Sequence, residues 1–154
     1  MEELASPIGG APGSVAADLF GAAQGFDFYQ ATALLHRLQP GAVPVGFGSD
    51  PSREPVRFTS SITLKFPASD IEHLGTGKPP QMRVAMMGLA GAQGPLPRAV
   101  TEVVLARVQR KDTAFRAFLD VFNHRLVSLH YRVRGENRIG LSPVQPHRSR
   151  AAKY

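Results

Sequence analysis

The stretch Gly88-Leu89-Ala90-Gly91-Ala92-Gln93-Gly94 has the glycine density of a loop that wraps a phosphate with backbone amides. It also lies between an expected strand and an expected helix, where such cradles occur. Its spacing fits neither known form. A dinucleotide fingerprint requires Gly-x-Gly-x-x-Gly and a P-loop ends in Gly-Lys-Ser/Thr, whereas Gly94 runs into Pro95-Leu96-Pro97 and loses two amide donors there. The residues describe instead a stiff loop, with glycines permitting tight turns and prolines fixing its direction. Leu89 and Leu96 are its only large apolar side chains, and pointed outward they would make it a docking surface.

Other chemical signatures are weaker still. His124 and His130 stand six residues apart, on different faces of a helix and outside His-Glu-x-x-His spacing, and the chain has no Cys, so no metal site is expected. His36, near the end of the first expected helix, suits the negative end of that helix's dipole. Gly-x-Ser-x-Gly is absent, and its nearest match, Gly46-Phe47-Gly48-Ser49-Asp50, falls in a loop without the strand-turn-helix setting of a nucleophile. The acidic residues sit mostly beside helix starts and turns, where structural use is expected. No catalytic residue, cofactor or small-molecule substrate is assigned, and the sequence reads as that of a non-enzyme.

Charge offers a competing idea. The 154 residues carry 18 Lys plus Arg against 12 Asp plus Glu, a net charge of +6, and a basic chain suits nucleic acid. The excess is local: Met1 to Tyr131 holds 12 basic and 11 acidic residues, while Arg132 to Tyr154 holds 6 and 1. Few aromatics accompany the basic tail, so no base-stacking platform goes with its charge. A small basic nucleic-acid-binding protein acting through Arg132, Arg134, Arg138, Arg148, Arg150 and Lys153 is therefore the alternative reading.

The elements that must position these residues follow from periodicity. Residues 1–25, rich in Ala, Gly, Ser and Pro, lack the charged start and apolar run of a signal peptide and read as a flexible lead. No stretch approaches the ~18 to 20 apolar residues of a membrane span. A body over 26–131 begins with Asp27 as helix cap, followed by Phe28, Ala31, Leu34, Leu35 and Leu38 at helical spacing and stopped by Pro40-Gly41. Two-residue alternation predicts strands at Val56 to Ser60, Ile62 to Phe66 and Gln81 to Met87, paired antiparallel, with one helical turn at Ser69 to His73. A second helix is expected over Arg98 to Arg110, with Val100, Val103, Val104 and Val108 on one face. A third starts at Asp112, and its stripe of Phe115, Phe118, Leu119, Phe122, Leu126 and Leu129 predicts a deep core contact. Residues 132–154 keep no period and are expected to be a disordered basic tail. The fold class is α+β, with about three helices and two to three short strands.

Several phrases taken in order carry a resemblance. They are Phe26-Asp27-Phe28-Tyr29-Gln30-Ala31, Pro44-Val45-Gly46, Glu54-Pro55-Val56-Arg57-Phe58, Leu64-Lys65-Phe66-Pro67, Gly88-Leu89-Ala90-Gly91 into Gly94-Pro95-Leu96-Pro97, Thr101-Glu102, and Phe118 to Leu126. Over Gly25 to Arg132 the chain resembles the TssG (ImpH, VasB) family of type VI secretion baseplate proteins. The resemblance implies a non-enzymatic, cytoplasmic structural subunit, without membrane insertion, in the baseplate beneath the inner-membrane complex. It implies TssF and TssK as partners, and a docking foot built by Gly88, Leu89, Gly91, Gly94, Pro95, Leu96 and Pro97. Family members are longer, so the chain looks like their N-terminal half, and Val133 to Tyr154 does not resemble their continuation.

Overall fold

The computed structural model describes residues 14–137, in an α+β arrangement of four helices and one three-stranded sheet. Helical order begins ahead of the expected Asp27. Ser14 caps a short helix, α1 (Val15–Gly21), by accepting a hydrogen bond from the Ala17 amide, and Leu19 of that helix is fully buried. Helix α2 (Phe28–Leu38) starts where expected, with the Asp27 carboxylate accepting from the Tyr29 and Gln30 amides.

Strands β1 (Arg57–Ser60), β2 (Ile71–Leu74) and β3 (Gln81–Val84) are four residues each and lie in the order β1-β3-β2. The sequence placed the second strand wrongly. Ile62 to Phe66 alternates yet forms a loop in which Phe66 is 89% exposed, and the segment expected to make a helical turn enters β2. The pairing is mixed: β2 runs antiparallel to β3, but β1 runs parallel to it, with Arg57 opposite Gln81 and Thr59 opposite Arg83. Phe58, Ser60, Met82 and Val84 consequently face the core, while Arg57, Thr59, Gln81 and Arg83 share the outer face. The main core joins Leu19, Phe28, Ala31 and Leu35 to Phe58, Ile71, Leu74, Met82 and Val84 of the sheet and to Val127 and Tyr131 of the last helix. Phe28 sits at its centre, 5.5 Å from the Phe58 ring and 6.2 Å from that of Tyr131.

Helices α3 (Arg98–Gln109) and α4 (Ala114–Asn137) complete the fold, and α4 continues past Tyr131, where the tail was expected to begin. The remaining residues of the expected lead and tail, 1–13 and 138–154, lie outside the described residues. Asp112 accepts from the Ala114 amide at the start of α4, as its position suggested.

The orientation of α4 reverses the sequence reading. Phe118 and Phe122, expected in a deep core, are 57% and 48% exposed, and Val121, Leu126 and Leu129 also face outward. The buried face carries Leu119, Asp120, Asn123, His124, Val127, Ser128 and Tyr131. The cause is the edge of the sheet. Arg57 and Ser61 direct their amides to Pro80 and Val84 on the β3 side, whereas the Phe58 and Ser60 amides point away from β3 and would be buried donors without partners. His124 Nδ1 accepts from Phe58 N–H at 3.1 Å and Asp120 Oδ1 from Ser60 N–H at 3.0 Å, so the helix occupies the place of a neighbouring strand. Asn123 fixes the arrangement, donating to Asp120 Oδ1 at 3.1 Å and accepting from Leu89 N–H at 3.0 Å.

Replacing Asp120 by Ala strands the buried Ser60 amide and frees the Asn123 amide group, and is expected to lower unfolding stability by about 2–3 kcal/mol in urea denaturation. A loss below ~0.5 kcal/mol, the range of an ordinary surface change, would show that the edge is not held this way.

Candidate partner-docking surfaces

Each glycine of the Gly88–Gly94 segment has a geometric task. A Cβ at Gly88 would collide with the Ser60 hydroxyl, one at Gly94 would run into the Leu89 carbonyl, and Gly91 adopts φ +114°, which side-chain-bearing residues rarely take. The loop is pinned to both helices behind it and to the chain beside it. Leu89 N–H donates to Asn123 and Gly91 N–H to Thr101 Oγ1 of α3. The Ala92 amide donates to Thr63, Gly94 to Gly91 and Leu96 to Leu89, all at backbone carbonyls. Those amides are therefore engaged within the protein, and the cavity beside them is about 10 Å³, room for a single water and not for a phosphate.

The outward leucines expected from the sequence are corrected by the packing. Leu89 and Leu96 are half-buried against a second, smaller core of Ala90, Val104 and Leu119, together with Ile62, Val108 and Phe115. They anchor the loop, and its exposed surface is Ala92, Gln93, Pro95 and Pro97. Helix α3 closes this core through Val104 and Thr101, while Val103 of the expected apolar face is exposed.

The second surface is the outward stripe of α4. Phe118 and Phe122 meet edge to face with centroids 5.2 Å apart, and Val121, Leu126 and Leu129 continue the apolar area along the helix. Arg125 and Arg132 flank it and reach back to the Gly46 carbonyl, with Arg125 also bonding that of Gly48. Arg132 stacks over Phe47 at 4.4 Å, and Arg134 over Tyr29 at the same distance, so two arginines assigned to a nucleic-acid-binding tail serve the folded body. Such a contiguous apolar face on a folded surface marks a contact site.

Beneath the stripe lies a buried polar cluster. Ser128 donates to Glu54 Oε2 and Gly46 N–H to Glu54 Oε1, and His124 Nε2 stands 3.6 Å from Glu54 Oε2. Because Ser128 pairs with the carboxylate and His124 Nδ1 accepts from a backbone amide, the three do not form a hydroxyl-imidazole relay. Burial lowers the His124 pKa to about 4, with Arg57 and Arg125 adding to the effect, and burial raises that of Glu54. His36 likewise is not a dipole-complementing cation. Its Nε2 accepts from Val45 N–H, and burial lowers its pKa. His130 bonds the Tyr29 hydroxyl at 2.7 Å, and no group of three or more metal-ligating side chains occurs among the described residues.

A family model described as Type VI secretion, TssG, matches residues 22–154. The chain belongs to the TssG family. TssG proteins are structural components of the type VI secretion baseplate, which accords with a site made of packing surfaces. The match runs to the last residue, so the segment after Arg132 that the sequence reading set apart from the family lies within it. No curated protein matches the chain, and no solved structure does. None of the helices is long and apolar enough to cross a membrane among the described residues.

The His124 geometry sets a pH dependence of the chain's stability. A ring with a pKa near 4 when folded and 6.5 when unfolded binds more protons in the unfolded state between those values. Its stabilisation is thus complete above the unfolded value and is lost as pH falls through the folded one, by at most about 3 kcal/mol. Glu54, held above its ordinary value, acts in the opposite sense. The comparison with His124→Asn isolates the histidine: between about pH 7 and about pH 4.5 the urea midpoint should fall more steeply for the native chain than for the variant. Equal slopes would contradict a neutral buried ring.

Proposed function

We propose that this TssG chain is a non-enzymatic, cytoplasmic structural subunit that joins TssF to TssK in the baseplate through two separate surfaces. The observation carrying the proposal is the apolar stripe of α4. The fold turns a three-turn row of phenylalanine, valine and leucine side chains to the outside while burying polar groups beneath it, an arrangement that suits contact with another apolar surface. TssF is assigned to this stripe. TssK is assigned to the foot formed by Gly88, Leu89, Gly91, Gly94, Pro95, Leu96 and Pro97, where the leucines and glycines fix the shape and the exposed Ala92, Gln93, Pro95 and Pro97 offer the contact. A foot tied by hydrogen bonds to α3 and α4 requires little ordering on binding, which favours affinity.

Co-purification with the two partners tests the division. Phe118→Asp plus Phe122→Asp, at exposed positions, should reduce TssF recovery at least tenfold and leave TssK recovery unchanged, while Ala92→Glu plus Gln93→Glu should do the reverse. Recovery of both partners by both variants at the native level would overturn the assignment of the two surfaces, and a native chain that recovers neither partner would overturn the bridging role.

A further inference from the structure

Parallel pairing of β1 with β3 places Arg57 and Arg83 on the same outer face of the sheet, and the first turn of α4 runs along that face beside β1. Between them is an open groove of about 310 Å³, lined among others by Arg57, Thr59, Arg83, Arg116 and Asp120. Three guanidinium groups from three different elements thus border one depression.

Their donor capacity is largely unengaged. Arg83 stands 3.8 Å from Glu72 and Arg116 3.7 Å from Asp120, contacts that are coulombic but longer than hydrogen bonds. Arg57 has no carboxylate within ion-pair distance among the described residues. Arg83 Nε is shielded from solvent and has no hydrogen-bond partner, so no hydrogen bond within the protein holds that side of the guanidinium. Ala114, the first residue of the 24-residue α4, follows the lining residue Thr113, so the positive end of that helix's dipole lies at the same groove.

We propose that this groove binds side-chain carboxylates of an acidic segment on a partner protein. The planar guanidinium fork matches a carboxylate in two-point hydrogen bonding. Glu72 and Asp120 offset two of the three guanidinium charges, and the single charge left suits a singly charged carboxylate, because a phosphate dianion pays a much larger desolvation cost for its second charge. The groove is distinct from the glycine loop and from the apolar stripe, so the proposal stands whichever proteins those surfaces meet.

The probe is a fluorescent, end-capped hexaglutamate peptide added to the full chain and followed by anisotropy. Arg57→Gln plus Arg83→Gln should weaken binding at least about tenfold, whereas the charge-matched Arg98→Gln plus Arg110→Gln, at two positions outside the groove, should change it less than about twofold. Equal losses in the two variants would reduce the effect to overall charge and overturn the proposal. Inorganic phosphate should displace the peptide no better than acetate at equal charge concentration, and stronger displacement by phosphate would overturn the carboxylate assignment. A variant-free arm uses the native chain: the peptide should slow phenylglyoxal modification of Arg57, Arg83 and Arg116, read by mass spectrometry, without slowing that of Arg98. Unchanged labelling of the three arginines would likewise reject the site.

Discussion

Two amides on the outer edge of β1 dictate how the remainder of the molecule is arranged. A four-residue edge strand buried beside a helix leaves the Phe58 and Ser60 donors without a strand partner, and unpaired buried donors cost about 1–3 kcal/mol each. Helix α4 resolves this by bringing Asp120 and His124 against the strand. Once those polar residues face inward, helical geometry leaves no choice for the other side: Phe118, Phe122, Leu126 and Leu129 must face outward. The exposed apolar stripe is the consequence of sealing the sheet.

The same polar face sets the neighbouring surfaces. Asn123 links Asp120 to the Leu89 amide, so one side-chain chain of hydrogen bonds runs from the edge of β1 to the glycine-proline foot. Thr101 and the small core around Val104 and Leu119 hold the foot from its other end. On the opposite flank, Arg125 and Arg132 tie the helix to the Gly46 carbonyl, where Gly46 has φ +79° and its position leaves no room for a Cβ beside the Ser128 carbonyl. Loop, stripe and basic groove are thereby fixed relative to one helix.

Local signals were legible where a single residue decides the outcome. Asp27 and Asp112 cap helices at the positions their side chains suggest, and the helical spacing after Pro97 yields α3. The facing of α4 was not legible, because an apolar stripe has the same spacing whether it meets a core or a partner, and Asp120, Asn123, His124 and Ser128 look like a solvated face until the strand edge they satisfy is known. Strand β2 was hidden by an irregularity between Ile71 and His73 that breaks its alternation, while the clean alternation of Ile62 to Phe66 belongs to a loop. Glycine and proline marked the foot, but the inward direction of Leu89 and Leu96 depends on α3 and α4 packing behind it. The arginine groove arises only from the parallel pairing of segments far apart in sequence.

Hydrogen exchange at the Phe58 and Ser60 amides tests most directly whether α4 closes the edge of the sheet. With the edge held by Asp120 and His124, both amides should exchange only through large-scale unfolding, with opening free energies within ~1 kcal/mol of global stability. Exchange as fast as that of unpaired edge amides would contradict the account, since the helix would then have no reason to present its phenylalanines to the outside.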